Sequence, residues 1–165
     1  MFRRLMQTDN DTAVFFMRVA LGIVFFPHGA QKVLGWFGGH GPQATIQAFS
    51  QGLHIPPFVT ALVFLAEFGG AILLIVGFLS RVAAFGIFCD MVGAILLVHH
   101  RFGFFMNWTG QQPGEGFEFH LLVLAMAFLM MVRGAGAWSL DRVLESWLIG
   151  GRTLHIHMEP EPTRS

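Results

Sequence analysis

The stretch PFVTALVFLAEFGGAILLIVGFLSRVAAFGIFCDMVGAILLVH, residues 57–99, decides the fold. It holds two apolar runs, 57–79 and 81–99, with Ser80 alone between them. Each is close to the roughly 20 helical residues needed to cross a hydrocarbon core. A one-residue break leaves room only for a tight helical hairpin. Two more apolar runs flank this pair, residues 12–36 before it and 118–138 after it. The expected fold class is all-α, an integral membrane four-helix antiparallel bundle.

Composition points the same way. Of 165 residues, 54% are hydrophobic and 12% charged, with a mean hydropathy of +0.60. A soluble domain carries roughly 25% charged residues, so about half the usual solvating surface is missing. Ten basic residues balance ten acidic ones, which removes the electrostatic case for nucleic acid. Cys89 is the only cysteine, so one chain holds neither a disulfide nor a cysteine zinc site. The first run contains Arg18, His28 and Lys32 and lacks a small-residue cleavage site, so it reads as a span and not as a signal peptide.

An even number of spans places both ends on one side. That side holds Arg3, Arg4, Arg81, Arg142, Arg152 and Arg164, whereas the opposite loops hold Arg101, with Lys32 at their margin. The excess of basic residues makes the termini cytoplasmic. Trp36 and Trp108 then mark the outer interface and Trp138 the inner one.

Two further helices are expected outside the spans. Leu140, Val143, Leu144, Trp147 and Leu148 recur at helical spacing behind Ser139, a fitting N-cap, and Gly150–Gly151 ends the pattern. That segment, about 139–149, reads as an amphipathic helix lying on the cytoplasmic interface. In the first outer loop, Pro42 suits the start of a short helix carrying Ile46, Phe49 and Leu53 on one face, a lid over the outer end of the bundle. The loop 101–116, rich in Phe, reads as a packed roof beside it. Residues 1–152 form one domain, and 153–165 a polar tail.

The charges inside the spans need explaining, because each costs about 2.5–3.5 kcal/mol in hydrocarbon even on the lenient insertion scale. At about 1.5 Å per residue, Arg18 and Arg133 lie roughly 5 Å from the cytoplasmic edge, Asp90 about 12 Å, Glu67 about 17 Å and His28 about 20 Å; Lys32, His99 and His120 lie near 25 Å. Arg18, Lys32, Glu67 and Asp90 sum to zero charge, which suggests pairing. Arg18 is expected to reach toward Asp90, and Glu67 to face His28 and Lys32, which sit one turn apart on the first span. Arg133 is expected to snorkel to the headgroups. Two uses of this set stay open: a polar clamp between helices, or a functional centre for protons or a redox-active lipid. Glycines 22, 69, 70, 86 and 93 read as close helix contacts, and Cys89 as a packing residue.

The run RVALGIVFFPHGAQKVLGWFGGHG, residues 18–41, resembles the opening of the DoxX family of small bacterial membrane proteins. The segment LAEFGGAILLIVGFLSRVAA resembles that family's Glu-centred helix and hairpin, and GAGAWSLD, residues 134–141, its close. The resemblance covers roughly residues 12–145. It implies a four-helix fold in the bacterial inner membrane and, in some members, association with quinone-linked or oxidative-stress redox systems. By the same resemblance Arg18, His28, Lys32 and Glu67 belong to the intramembrane polar pattern; Asp90 and His120 join them on depth alone.

The expected function is therefore a membrane subunit of a quinone-linked redox system. His28 and Lys32 would donate to the quinone oxygens and Glu67 would exchange the proton, with Arg18, Asp90 and His120 as further binding residues. Electrons would come from a protein partner, and a homo-oligomer is compatible with this. No metal or nucleotide cofactor is expected: the histidines lack a close ligand motif, His155 and His157 sit in the tail, and no glycine run precedes Lys-Ser/Thr. The alternatives are a non-catalytic membrane anchor for a soluble protein and a proton-coupled small-solute transporter.

Overall fold

The computed structural model describes residues 6–147, and within them the chain is helical throughout its regular structure. Helix α1 spans Thr12–Val33, the short α2 Gly41–Gly52, α3 Pro57–Val76 and α4 Ser80–Leu97. A 3₁₀ turn, His99–Phe102, leads into the outer loop; α5 spans Glu118–Arg133, and α6 occupies 140–147. Helices α1, α3 and α4 are long and apolar enough to cross a membrane. Their outward faces carry unpaired apolar side chains such as Phe16, Leu62, Leu65, Phe85 and Leu96, as a lipid-facing surface does. The core lies where α1 meets α3 and α4 meets α5, around Leu21, Phe25, Leu74, Ile87, Val123 and Met130.

Three boundaries differ from the sequence expectation, the first being that α1 ends at Val33 and not at 36. The hairpin turn comprises residues 77–79 and not Ser80 alone, because Gly77 (φ 72°) and Leu79 (φ 46°) adopt left-handed conformations that end α3 and start α4. The last long helix stops at Arg133, five residues short of 138, because Gly134 (φ 86°) breaks it. Sixteen helical residues rise about 24 Å. The chain from 134 to 139 then tucks under the start of α1. Here a side chain at Gly134 would strike Gln7 O at 2.7 Å, and one at Gly136 would strike Asp11 O at 2.6 Å.

The end of the bundle that holds these turns is tied by arginines, and here the expected partners are corrected. Arg18 does not reach Asp90. Its guanidinium is fully buried and donates to the carbonyls of Leu74, Ile75 (2.9 Å), Ala135 (2.9 Å) and Trp138 (3.2 Å). Leu74 and Ile75 belong to the last turn of α3, where carbonyls run short of helical donors; Leu74 O takes only a 3.2 Å bond from Gly77 N. A five-donor fork fits four such oxygens better than one distant carboxylate. Arg81 does the same for the last turn of α5, donating to Met131 O and Val132 O (2.8 Å) and to Gln7 O (2.9 Å). Arg133, about half exposed, pairs with Asp9 (3.3 Å) and Asp11 (3.1 Å) at the same end. Asp11 in turn caps α1 by accepting from Ala13 N and Val14 N.

Asp141 closes the knot. Its two oxygens accept from Leu79 N (2.7 Å) and Ser80 N (2.9 Å), capping α4 from the far end of the chain. Burial pushes its carboxyl up from the ordinary value, against the pull of those N–H groups and of Arg18. Ser139 caps α6, its Oγ accepting from Arg142 N at 3.3 Å. The expected end of α6 at Gly150–Gly151, Leu148 and the tail histidines lie outside the described residues.

Candidate functional site

Away from that knot, α3 and α4 separate to leave a cavity of about 840 Å³. Its walls are apolar, and Leu62, Leu65, Val82 and Phe85 belong at once to its lining and to the outer surface, so it opens sideways between the two helices. That volume lies within the roughly 300–1,000 Å³ of small-molecule sites. Phe49 and Leu53, at the end of α2, cover it as the lid expected of that helix. The loop 103–117 contributes no lining residue; it is held by a bond of its own, Asn107 N to Glu115 Oε2 (2.7 Å), and by one to the start of α5, Trp108 Nε1 to Glu118 Oε1 (2.8 Å).

Three ionisable side chains from three helices meet on the cavity wall: Lys32 of α1, Glu67 of α3 and Asp90 of α4. Lys32 Nζ and Glu67 Oε2 form an ion pair, with the Glu67 side chain 9% exposed. Glu67 is delivered by a local irregularity. Residues Leu65–Gly69 form a π turn, in which Gly70 N reaches back five residues to Leu65 O. Such bulges are frequent at functional sites because they re-aim one residue of a helix.

Lys32 is delivered by a glycine that hydropathy does not reveal. A Cβ at Gly29 would lie 2.5 Å from the backbone of Phe68, so α1 can rest on the π turn only because Gly29 lacks one. Asp90 stands on the same wall as Glu67, and its buried Oδ2 has no partner among the described residues.

Not all the expected residues gather here. Lys32, Glu67 and Asp90 do. His28 is exposed on α1, 6.4 Å ring to ring from Phe25, and is not in the cavity lining. Arg18 is at the opposite end, in the knot. His120 is buried on α5 outside the lining, with no partner for its Nδ1 among the described residues and its ring 4.1 Å from that of His99. It is His99 that lines the cavity, and its Nδ1 meets Glu115 O at 2.8 Å. A carbonyl only accepts, so Nδ1 carries the hydrogen and Nε2 of the neutral ring is an acceptor.

The glycines also sort differently from expectation. Gly22 is a close contact, 2.9 Å for a Cβ to Ala71 O. Gly70 and Gly86 are α3–α4 contacts as expected, an added Cβ meeting Ile87 Cγ1 at 3.6 Å and Ala66 Cβ at 3.4 Å, although both also line the cavity. At Gly69 and Gly93 an added Cβ would meet nothing within 4 Å, and there the missing side chain makes the space. Cys89 is exposed on the same wall and is not a packing residue. Among the described residues, no group of three or more His, Cys, Asp or Glu is placed to hold a metal ion.

Known proteins share this arrangement of sequence. The chain is 30% identical over 139 residues to the inner membrane protein YqjF of Escherichia coli, covering 84% of this chain and 97% of that protein. It is 30% identical over 159 residues to an uncharacterized membrane protein of Mycobacterium tuberculosis, covering 86% of each. With the protein named "Putative oxidoreductase CatD" of Bacillus subtilis it shares 26% identity, over 82% of this chain and 90% of that one. No solved structure matches it. The DoxX family matches residues 13–100, a segment that carries α1, the lid, the π turn with Glu67 and the helix with Asp90. This helical membrane protein belongs to the DoxX family.

Proposed function

We propose that the chain is a membrane subunit of a quinone-linked redox system and takes the quinone headgroup into the cavity between α3 and α4. The observation that carries this reading is an apolar, laterally open cavity in which Lys32, Glu67 and Asp90 converge from three helices. Intramembrane ionisable groups are costly and mark functional sites by default. A quinone dissolved in the bilayer supplies two-electron, two-proton chemistry. Lys32 donates to one ring oxygen, Glu67 and Asp90 exchange the protons, and Phe49, Leu53 and Phe85 exclude water from the ring.

Electrons come from a protein partner. The relative named as an oxidoreductase, CatD, fits this assignment. In the proposed topology α5 is the fourth crossing, the membrane is the bacterial inner membrane, and both termini face the cytoplasm. The arginine knot then sits at the cytoplasmic face and the cavity in the outer half.

Protein extracted in mild detergent should carry quinone near one to one, measured by mass spectrometry of a lipid extract. Glu67→Gln combined with Lys32→Met should lower that several-fold without loss of fold, and Glu67→Gln alone should abolish turnover of the assembled system. Quinone no higher than in an unrelated four-span protein would overturn the assignment.

A further inference from the structure

The cavity is larger than a headgroup needs. At about 30 Å³ for each water-sized group, a bare quinone ring with its two oxygens fills roughly 240 Å³, under a third of the space of about 840 Å³. The lining also runs past the charged groups in both directions. Along α4 it extends from Asp90 outward to His99 and inward to Val82, the inner arm being about 12 Å long.

The two arms differ in shape. An added Cβ on Gly86 would meet Ala66 Cβ at 3.4 Å, and one on Gly70 would meet Ile87 Cγ1 at 3.6 Å, so α3 and α4 touch at this level. Outward of that contact Gly93 faces open space, roofed by Phe49 and Leu53 of α2. Inward of it the cavity continues as a groove on the lipid side. Leu65, Gly69 and Leu73 share one face of α3, and Val82 and Phe85 one face of α4. Leu65, Val82 and Phe85 are 67%, 45% and 55% exposed, and at Gly69 an added Cβ meets nothing within 4 Å. The outer arm ends at His99, whereas the inner arm carries no polar side chain.

We infer that this inner groove seats the hydrocarbon chain of the quinone, with the ring outward of it beneath α2. The inference rests on the quinone site proposed above and adds the second half of its ligand: a chain that leaves the site toward the arginine knot. Lipid tails are as apolar as leucine, so a chain gains little affinity by moving from the bilayer into such a groove. Polar contacts of the ring fix where the chain begins, and the groove fixes where it runs. Chain position, and not affinity, is therefore the diagnostic property.

Photoaffinity labelling of the purified full chain in detergent reads that position. Two probes carry a ubiquinone ring and a decyl chain, with a diazirine on the carbon next to the ring in one and at the chain end in the other. Ten bonds at roughly 1.2 Å each span about the length of the groove. The chain-end probe should label residues 65–73 and 82–85, and the ring-proximal probe residues 49–55 and 89–97, as mapped by peptide mass spectrometry. Excess decylubiquinone should suppress both labels several-fold.

Chain-end label on residues 49–63 or 93–99 overturns the seat and leaves the ring site standing. Chain-end label in the groove that decylubiquinone does not displace, matching that of a diazirine fatty acid without a ring, shows an ordinary lipid chain there and overturns the seat. Absence of displaceable label from both probes overturns the seat and the ring site together.

Discussion

At the scale of single residues, the arginines and acids of this chain divide into two groups that the sequence lists side by side. Arg18 and Asp141 serve backbone groups: one gives hydrogen bonds to four carbonyls, the other takes two from the start of α4. Lys32, Glu67 and Asp90 serve a cavity. The first division is invisible in sequence because main-chain carbonyls have no letter of their own, and depth alone pairs Arg18 with Asp90.

Arg18→Met should cost about 3 kcal/mol or more, since four carbonyls, two of them in buried bonds, lose a charged donor. The loss is read as a lower midpoint of thermal unfolding in detergent. Arg18→Lys, with a point charge in place of the planar fork, should recover only part of it. An unchanged midpoint in Arg18→Met would mean that those carbonyls find other donors.

At the scale of elements, the four apolar runs and the lid were legible from length, hydropathy and spacing. The lid was legible because Pro42, Phe49 and Leu53 follow helical rules without help from the rest of the chain. The exact hairpin was not. Phe78 and Leu79 are as apolar as the helices they separate, and only their backbone angles mark the turn. Glycine carried the same ambiguity, for the letter reads alike whether a helix presses against it or a void opens beside it.

The distinction has a measurable outcome at Gly93. An added Cβ there meets nothing within 4 Å, and the residue lines the cavity. Gly93→Ile should therefore leave unfolding midpoints equal or slightly higher, because an interior helical glycine costs about 0.5–1 kcal/mol relative to alanine. The same substitution should cut co-purified quinone at least several-fold. A destabilised protein would show that the helices close over the cavity.

At the scale of the whole molecule, the fold class and family were readable from the sequence, and the meeting of Lys32 with Glu67 was too. What converges on them from elsewhere was harder to see. Asp90 arrives from α4 and His99 from the turn beyond it, and only packing brings them onto one wall with Glu67. The basic residues of the knot, Arg18, Arg81 and Arg133, gather at one end of the bundle. The proposed topology puts that end in the cytoplasm. Green fluorescent protein fused after residue 165 should then fluoresce, and alkaline phosphatase fused at the same point should be inactive; the reverse pattern would invert the assignment.

The knot also sets a schedule for biogenesis. The oxygens that Arg18 satisfies include those of Ala135 and Trp138, and the cap on α4 is Asp141. All three leave the ribosome after every long helix has been synthesised. Until then the nascent hairpin enters the bilayer with its turn uncapped and a guanidinium only half engaged. The bonds that tie α1, α3 and α4 at this end are thus complete only once residues 135–141 are in place, and a chain cut before Ala135 should unfold at a lower midpoint in detergent than the full chain.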